Sequence, residues 1–196
     1  MTTQVAAVPA GYPLRFDVQY PQQLSRGLIF VKLLLAIPHF LILNALGNFQ
    51  GVITLIAFFA ILFTKRFPPT LFDFYVKAAR WTANVGAYAG LFRDEYPPFG
   101  WDPGQYPPVT YEVDYPQQLS RWMVFVKWLL AVPHYIVLAV LFVVGIVVWI
   151  ISWFAILFTG RFPRGLFDFL VGVLRWSFRV QVYVLLLRDE YPPFSL

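Results

Sequence analysis

The sequence predicts an all-α integral membrane protein, a tandem repeat of a transmembrane helical hairpin plus an amphipathic interfacial helix, with short strands outside the bilayer. Three observations lead there. The hydrophobic fraction is 59% and the charged fraction 13%, where soluble chains average about 45–50% and about 25%. The charges come in short clumps between long apolar runs, as in membrane proteins. The chain also aligns with itself, without a gap, at an offset of 95 residues.

The repeat is explicit. "YPQQLSR" (Tyr20–Arg26) recurs at Tyr115–Arg121, and "FAILFTKRFPPTLFDF" (Phe59–Phe74) recurs as "FAILFTGRFPRGLFDF" (Phe154–Phe169). "LFRDEYPPF" (Leu91–Phe99) recurs as "LLRDEYPPF" (Leu186–Phe194). Many apolar positions differ between the copies, such as Leu33 against Trp128 and Gly47 against Phe142, while the ionisable ones mostly persist. That contrast favours a shared constraint over mere recency of the duplication. The chain divides into an N-terminal tail (1–11), repeat one (12–99), a Pro/Gly-rich linker (100–106) and repeat two (107–196).

Several classes of function are excluded early. The absence of cysteine removes disulfides, thiolate catalysis and cysteine-bound metals. Net charge is +5, but no Arg/Lys stripe is dense enough to track phosphates, so nucleic acid is not an expected partner. Residues 1–14 hold no Lys or Arg and no apolar run, so the first apolar helix is expected to act as an uncleaved anchor.

Each repeat opens with period-two alternation. Leu14, Phe16, Val18 and Tyr20 interleave with Arg15, Asp17 and Gln19, and Val109–Tyr115 does the same. This predicts a short strand outside the bilayer, free to pair with its counterpart. Helix one is expected over Leu24–Leu46. Helix two follows over Phe49–Thr64, and over Val144–Thr159 in the second copy. The 33 residues between Lys127 and Arg161 would measure about 50 Å as one helix, against a hydrocarbon core of about 30 Å. "NALGNFQG" (Asn44–Gly51) supplies a turn in the first copy, so a hairpin of two short helices is expected. Helix three, Leu71–Phe92 and Leu166–Leu187, carries Asp73, Lys77, Arg80 and Asn84 on one face, an interfacial pattern.

Basic residues flank the start of helix one and the corner before helix three, and none falls in the intervening turn. The positive-inside rule then gives two crossings per unit, parallel repeats and both termini cytoplasmic.

Ionisable residues near a membrane core need partners. Lys32 and His39 share a helix face, as do Lys127 and His134. The expected network joins Lys32, Asp73 and Arg80, repeated as Lys127, Asp168 and Arg175, pinning helix three to the hairpin, serving a proton or anion path, or recognising lipid headgroups with the same basic face. Each histidine follows a proline, and re-satisfying the carbonyl freed there is its expected role. Paired axial ligation of a haem is the competing possibility, but no carboxylate stands at metal-ligand spacing. No metal or cofactor is expected. "RDEYPPF" reads as an extended aromatic cap at the interface. None of the common nucleophile-elbow, phosphate-loop or zinc motifs occurs, so no catalytic residue is assigned and the protein is not expected to be an enzyme.

"YPQQLSR", "VKWLLAVPHY", "WFAILFTGRFPRGLFDF", "VLRW" and "LLRDEYPPF" resemble a bacterial membrane family known as domain of unknown function 4389, in two tandem copies. Trp153–Phe169 is the most specific stretch. Copy one departs from it with Lys65 for Gly160 and Pro69-Thr70 for Arg164-Gly165. The resemblance implies a multi-pass protein of the bacterial cytoplasmic membrane and transfers no activity. The expected role is a structural or accessory module of a membrane complex, or a lipid-organising protein. Its partners are membrane lipids, other subunits or a second copy; the alternative is a small transporter or channel.

Overall fold

A computed structural model describes residues 11–196, so all of the expected N-terminal tail except Gly11 lies outside the described residues. The elements run β1 (Leu14–Val18), α1 (Leu28–Thr64), α2 (Pro69–Ala89), β2 (Val109–Val113), α3 (Met123–Leu130), α4 (Val132–Thr159) and α5 (Arg164–Val184). The expected hairpins are absent. Helices one and two are a single 37-residue helix, α1, about 55 Å long at 1.5 Å per residue. In the second unit α3 and α4 form one rod broken only at Ala131, beside Pro133.

The reason lies in the residues read as a turn. Asn48 donates from Nδ2 to the carbonyl of Asn44 at 3.1 Å, and Thr54 Oγ1 donates to Gln50 at 2.8 Å. The Asn48 and Thr54 side chains thus bond to carbonyls of their own helix. Without proline there, Gly47 and Gly51 weaken the helix but do not stop it. In the second unit Gly145 is helical too, and α5 packs close to it: a Cβ would stand 3.5 Å from Leu170.

Each long helix ends in a left-handed cap, Lys65 (φ 58°) and Gly160 (φ 69°). The corner that differs in sequence therefore has the same conformation. A proline at the helix start (Pro69) or just before it (Pro163) then begins α2 and α5, with φ already set. These helices run back along their long partners. Ile53, Ala57 and Ile61 of α1 join Phe72, Tyr75 and Val76 of α2 in the main core, and Ala36 meets Trp81 and Tyr88 farther along. Helix three thus packs along the long helix of its own unit. One face packs on the long helix, and from the other Arg80 and Arg175 reach the sheet.

The strands pair with each other as expected, and do so antiparallel with Phe16 opposite Tyr111, which is each residue opposite its own equivalent in the other copy. Contacts repeat reciprocally across that point. Arg80 Nε donates to the Tyr111 carbonyl at 3.0 Å, and Arg175 Nε to that of Phe16 at 3.0 Å. Leu24 N–H donates to Gly160 O at 2.9 Å, and Leu119 N–H to Lys65 O at 2.8 Å. Tyr20 and Tyr115 hydroxyls donate to Phe162 and Phe67 carbonyls. Phe30 meets Trp153, and Phe58 meets Phe125. The start of each long helix thus abuts the end of the other. The units are related by an approximate two-fold axis through the sheet, and the long helices are antiparallel.

Continuity of α1 has a direct test. An added Cβ at Gly47 or Gly51 meets nothing within 4 Å, so Gly47→Ala and Gly51→Ala should each raise stability by about 0.5–1 kcal/mol. Thermal unfolding in detergent checks this, and a lowered midpoint would favour a turn.

Candidate functional site

The repeated polar residues converge at the start of each long helix, on a partner the sequence reading did not choose. Lys32 is fully buried. Its Nζ donates to the Arg93 carbonyl at 2.8 Å and meets Asp94 Oδ1 at 2.6 Å. Lys127 repeats this with Arg188 O at 2.7 Å and Asp189 Oδ1 at 2.7 Å. The second carboxylate oxygen of Asp94 accepts from Ser25 N–H, and that of Asp189 from Ser120 N–H. Each aspartate thereby ties the chain after α2 or α5 to the beginning of the long helix of its own unit. Tyr88 and Tyr183 place ring faces 5.4 and 5.2 Å from the ammonium groups, a further attraction for a desolvated cation.

Asp73 and Asp168 take no part. Asp73 bonds Lys77 at 2.9 Å and Asp168 bonds Arg164 at 3.2 Å, both exposed pairs one helical turn apart. Arg80 and Arg175 face the sheet, where Arg80 also donates to Trp101 O at 2.9 Å and Arg175 to Asp17 at 2.9 Å. The expected Lys–Asp–Arg network is therefore three separate arrangements. The signal for Asp94 was in the sequence: "RDEYPPF" is identical in both copies, including the carboxylate a buried lysine needs.

The histidines do not serve the prolines. Tyr96 OH donates to Leu35 O at 3.1 Å and Tyr191 OH to Leu130 O at 3.2 Å. These carbonyls stand three residues before Pro38 and Pro133, in the turn that proline disrupts. His39 instead accepts at Nδ1 from Trp81 Nε1 at 3.1 Å, and His134 from Trp176 at 3.1 Å. Each ring stacks on a phenylalanine, Phe99 or Phe194, at 4.0 Å between centroids. With Nδ1 accepting, the neutral ring carries its proton on Nε2, which is buried without a hydrogen-bond partner among the described residues in both units. Among the described residues no three His, Asp or Glu side chains converge as a metal site.

Arg93 closes the clasp from outside, donating from Nη1 to Gln19 O at 3.1 Å and pairing with Glu95. Partial burial raises the Glu95 pKa, but hydrogen bonds from Arg93 and backbone groups outweigh it, so the carboxyl titrates below its usual range. Glu190 behaves alike beside Arg188. With folded pKa values depressed, both pairs contribute stability above the ordinary glutamate pKa and lose it as pH falls through the folded values.

These contacts define a class of protein: a duplicated long-helix module, each copy clasped by its own acidic-aromatic tail. The chain belongs to the family described as Domain of unknown function (DUF4389), whose model matches it twice, over residues 26–100 and 121–195. No curated protein and no solved structure matches it.

Asp94→Asn should destabilise the fold by about 3–5 kcal/mol by leaving Lys32 charged and unpaired in the interior. Asp73→Asn should cost only about 0.3–0.5 kcal/mol, the worth of an exposed pair one turn apart. Thermal or denaturant unfolding in detergent separates the two, and Lys32→Met with Asp94→Asn should recover most of the loss.

Proposed function

We propose that the protein is a non-catalytic membrane module that organises lipid or scaffolds a membrane complex, immersed in the cytoplasmic leaflet of a bacterial cell membrane. The observation that carries this is the state of the long helices. Their most apolar windows are only 22% and 17% buried, with Phe30, Leu34, Leu41, Ile136, Val143 and Phe158 among many exposed apolar side chains. Core helices of soluble domains are covered by their own chain. Soluble monomers rarely show contiguous apolar patches beyond a few hundred Å², so lipid is the expected cover.

The two-fold axis bears on orientation. Were the antiparallel long helices to cross the bilayer, the axis would lie in the membrane plane and the sheet at mid-depth. The exposed Arg15 pairs with Glu112 and Asp114 would then sit in hydrocarbon, at about 2.5–3.5 kcal/mol or more per charge. Open sheet edges are not tolerated there either. With the axis along the membrane normal, the sheet and charged tails stand in water and the long helices lie in the interface. The basic residues still share one aqueous side, as the positive-inside rule requires, now through immersion instead of crossing. A transport role gains nothing from Lys32 and Asp94, which are committed to holding chain segments together.

The chain has no cysteine, so single cysteines report sidedness cleanly. The protein should remain in the membrane pellet through an alkaline carbonate wash. An impermeant maleimide should label Ser25→Cys and Thr64→Cys in inside-out vesicles and neither in spheroplasts. Labelling of the two from opposite sides would establish a crossing and overturn the one-leaflet orientation.

A further inference from the structure

The chain has 15 Lys and Arg against 10 Asp and Glu. Nine carboxylates are engaged by eight of the basic side chains. Of the seven cations without a carboxylate partner among the described residues, Arg80 and Arg179 lie within the fold. The other five, Arg26, Lys65, Arg66, Arg121 and Arg161, are exposed. All five stand where the end of one long helix abuts the start of the other. The excess positive charge of the molecule is thus concentrated at two places.

At each place there is a pocket. One, of about 440 Å³, is lined by Lys65, Gln118, Ser120, Arg121 and Trp122. The other, of about 330 Å³, is lined by Gln23, Arg26, Thr159, Gly160 and Arg161. The two-fold exchanges them. Both volumes fall at the lower end of the range for small-ligand sites, about 300–1,000 Å³. Each opens beside exposed aromatic residues at the tips of the apolar helices: Phe63 (71% exposed) and Trp122 (81%) at the first, Phe158 (71%) at the second.

We infer that each pocket binds the phosphate of an anionic phospholipid whose acyl chains lie along the exposed apolar surface of the adjoining long helix. The inference rests on the membrane reading above and adds the lipid class and the residues that recognise it. The nearby carboxylates are already occupied by other cations, so nothing cancels the field of these five. Arginine forks match phosphate oxygens in pairs, and glutamine and serine add neutral hydrogen-bonding groups. The aromatic tips suit the headgroup level. Because the axis stands along the membrane normal in that reading, both pockets lie at one depth, giving two headgroups per chain in the same leaflet. Free phosphate shares the headgroup's chemistry but leaves the apolar surface beside each pocket unused.

The test uses the full chain, delipidated in a neutral detergent, with phosphatidylglycerol, phosphatidylcholine and inorganic phosphate as probes in native mass spectrometry and titration. Two phosphatidylglycerol molecules should bind in preference to phosphatidylcholine. At about fivefold per cation, Arg26→Gln with Arg161→Gln should weaken one site about 25-fold and leave the other. Lys65→Gln with Arg66→Gln, whose side chains make no hydrogen bond to described residues, should weaken the second without disturbing the fold. Arg164→Gln, an exposed cation already paired with Asp168, should change neither. Equal binding of the two lipids would overturn the inference. So would unchanged phosphatidylglycerol binding in a variant lacking all four cations, at an unaltered unfolding midpoint. Displacement of lipid by inorganic phosphate at equal concentration would make these free-anion sites and overturn it too. In each of these cases retention through the carbonate wash would leave the membrane reading standing, and only release of the wild-type chain would remove that.

Discussion

The arrangement depends on one pairing, that of Phe16 with Tyr111 in the antiparallel strands. A residue set against its own equivalent puts a two-fold axis at that point, and the rest of the chain follows it. The guanidinium of each unit's second helix reaches the strand of the other unit, so the strands are exchanged and neither copy has its full set of contacts alone. The same axis reverses one long helix relative to the other. It also brings every basic helix end to an equivalent position. A two-stranded ribbon is marginal alone in water; here Leu14, Phe16, Val18 and Tyr111 are buried beneath it, and the arginines fix its register from below.

The clasp at each long helix has a different physical origin. A proline inside a long helix leaves a carbonyl without its partner, and a fully buried lysine on the same helix adds a charge the interior disfavours. "RDEYPPF" reaches both: its tyrosine donates to a carbonyl in the turn before the proline, that of Leu35, and its aspartate meets the ammonium. The phenylalanine then stacks on the histidine whose other face of chemistry, Nδ1, is held by tryptophan. Both copies keep the whole set. Losing one member leaves another polar group buried and unmatched, which is sufficient reason for ionisable positions to persist while exposed apolar ones differ.

That logic also separates what was legible from what was not. Repeat, strands and third helix rest on local period and on identity between copies, and all three are present. The hairpin failed because Asn, Gly and Gln in an apolar stretch were given the weight of a turn, although without a proline there they leave α1 continuous. The sequence length that seemed too great for one span is no obstacle to a helix lying in the interface. Asp73 was chosen for Lys32 by proximity along a presumed hairpin, and once the hairpin is gone so is the proximity. The histidine environment had no readable signal in one dimension, because Trp81 and Phe99 reach His39 only through tertiary packing.

Lys65 shows how the two copies diverge within this frame. It holds φ 58° at the end of α1, where the second unit has Gly160 at 69°. Glycine takes that conformation freely and a side chain does not, at about 1 kcal/mol. The strain is tolerated at a position whose carbonyl receives Leu119 and whose ammonium faces the same opening as Arg121. In the second unit the conformational ease of glycine is accompanied by Arg161 one residue on, next to Arg26. Both junctions thus keep the same two arginines without a carboxylate partner among the described residues, Arg66 with Arg121 at one and Arg161 with Arg26 at the other, and Lys65 adds a third cation to the first. A purely structural corner needs only the left-handed cap, for which Gly160 suffices; the proposed headgroup sites would give the charge kept at both ends a use.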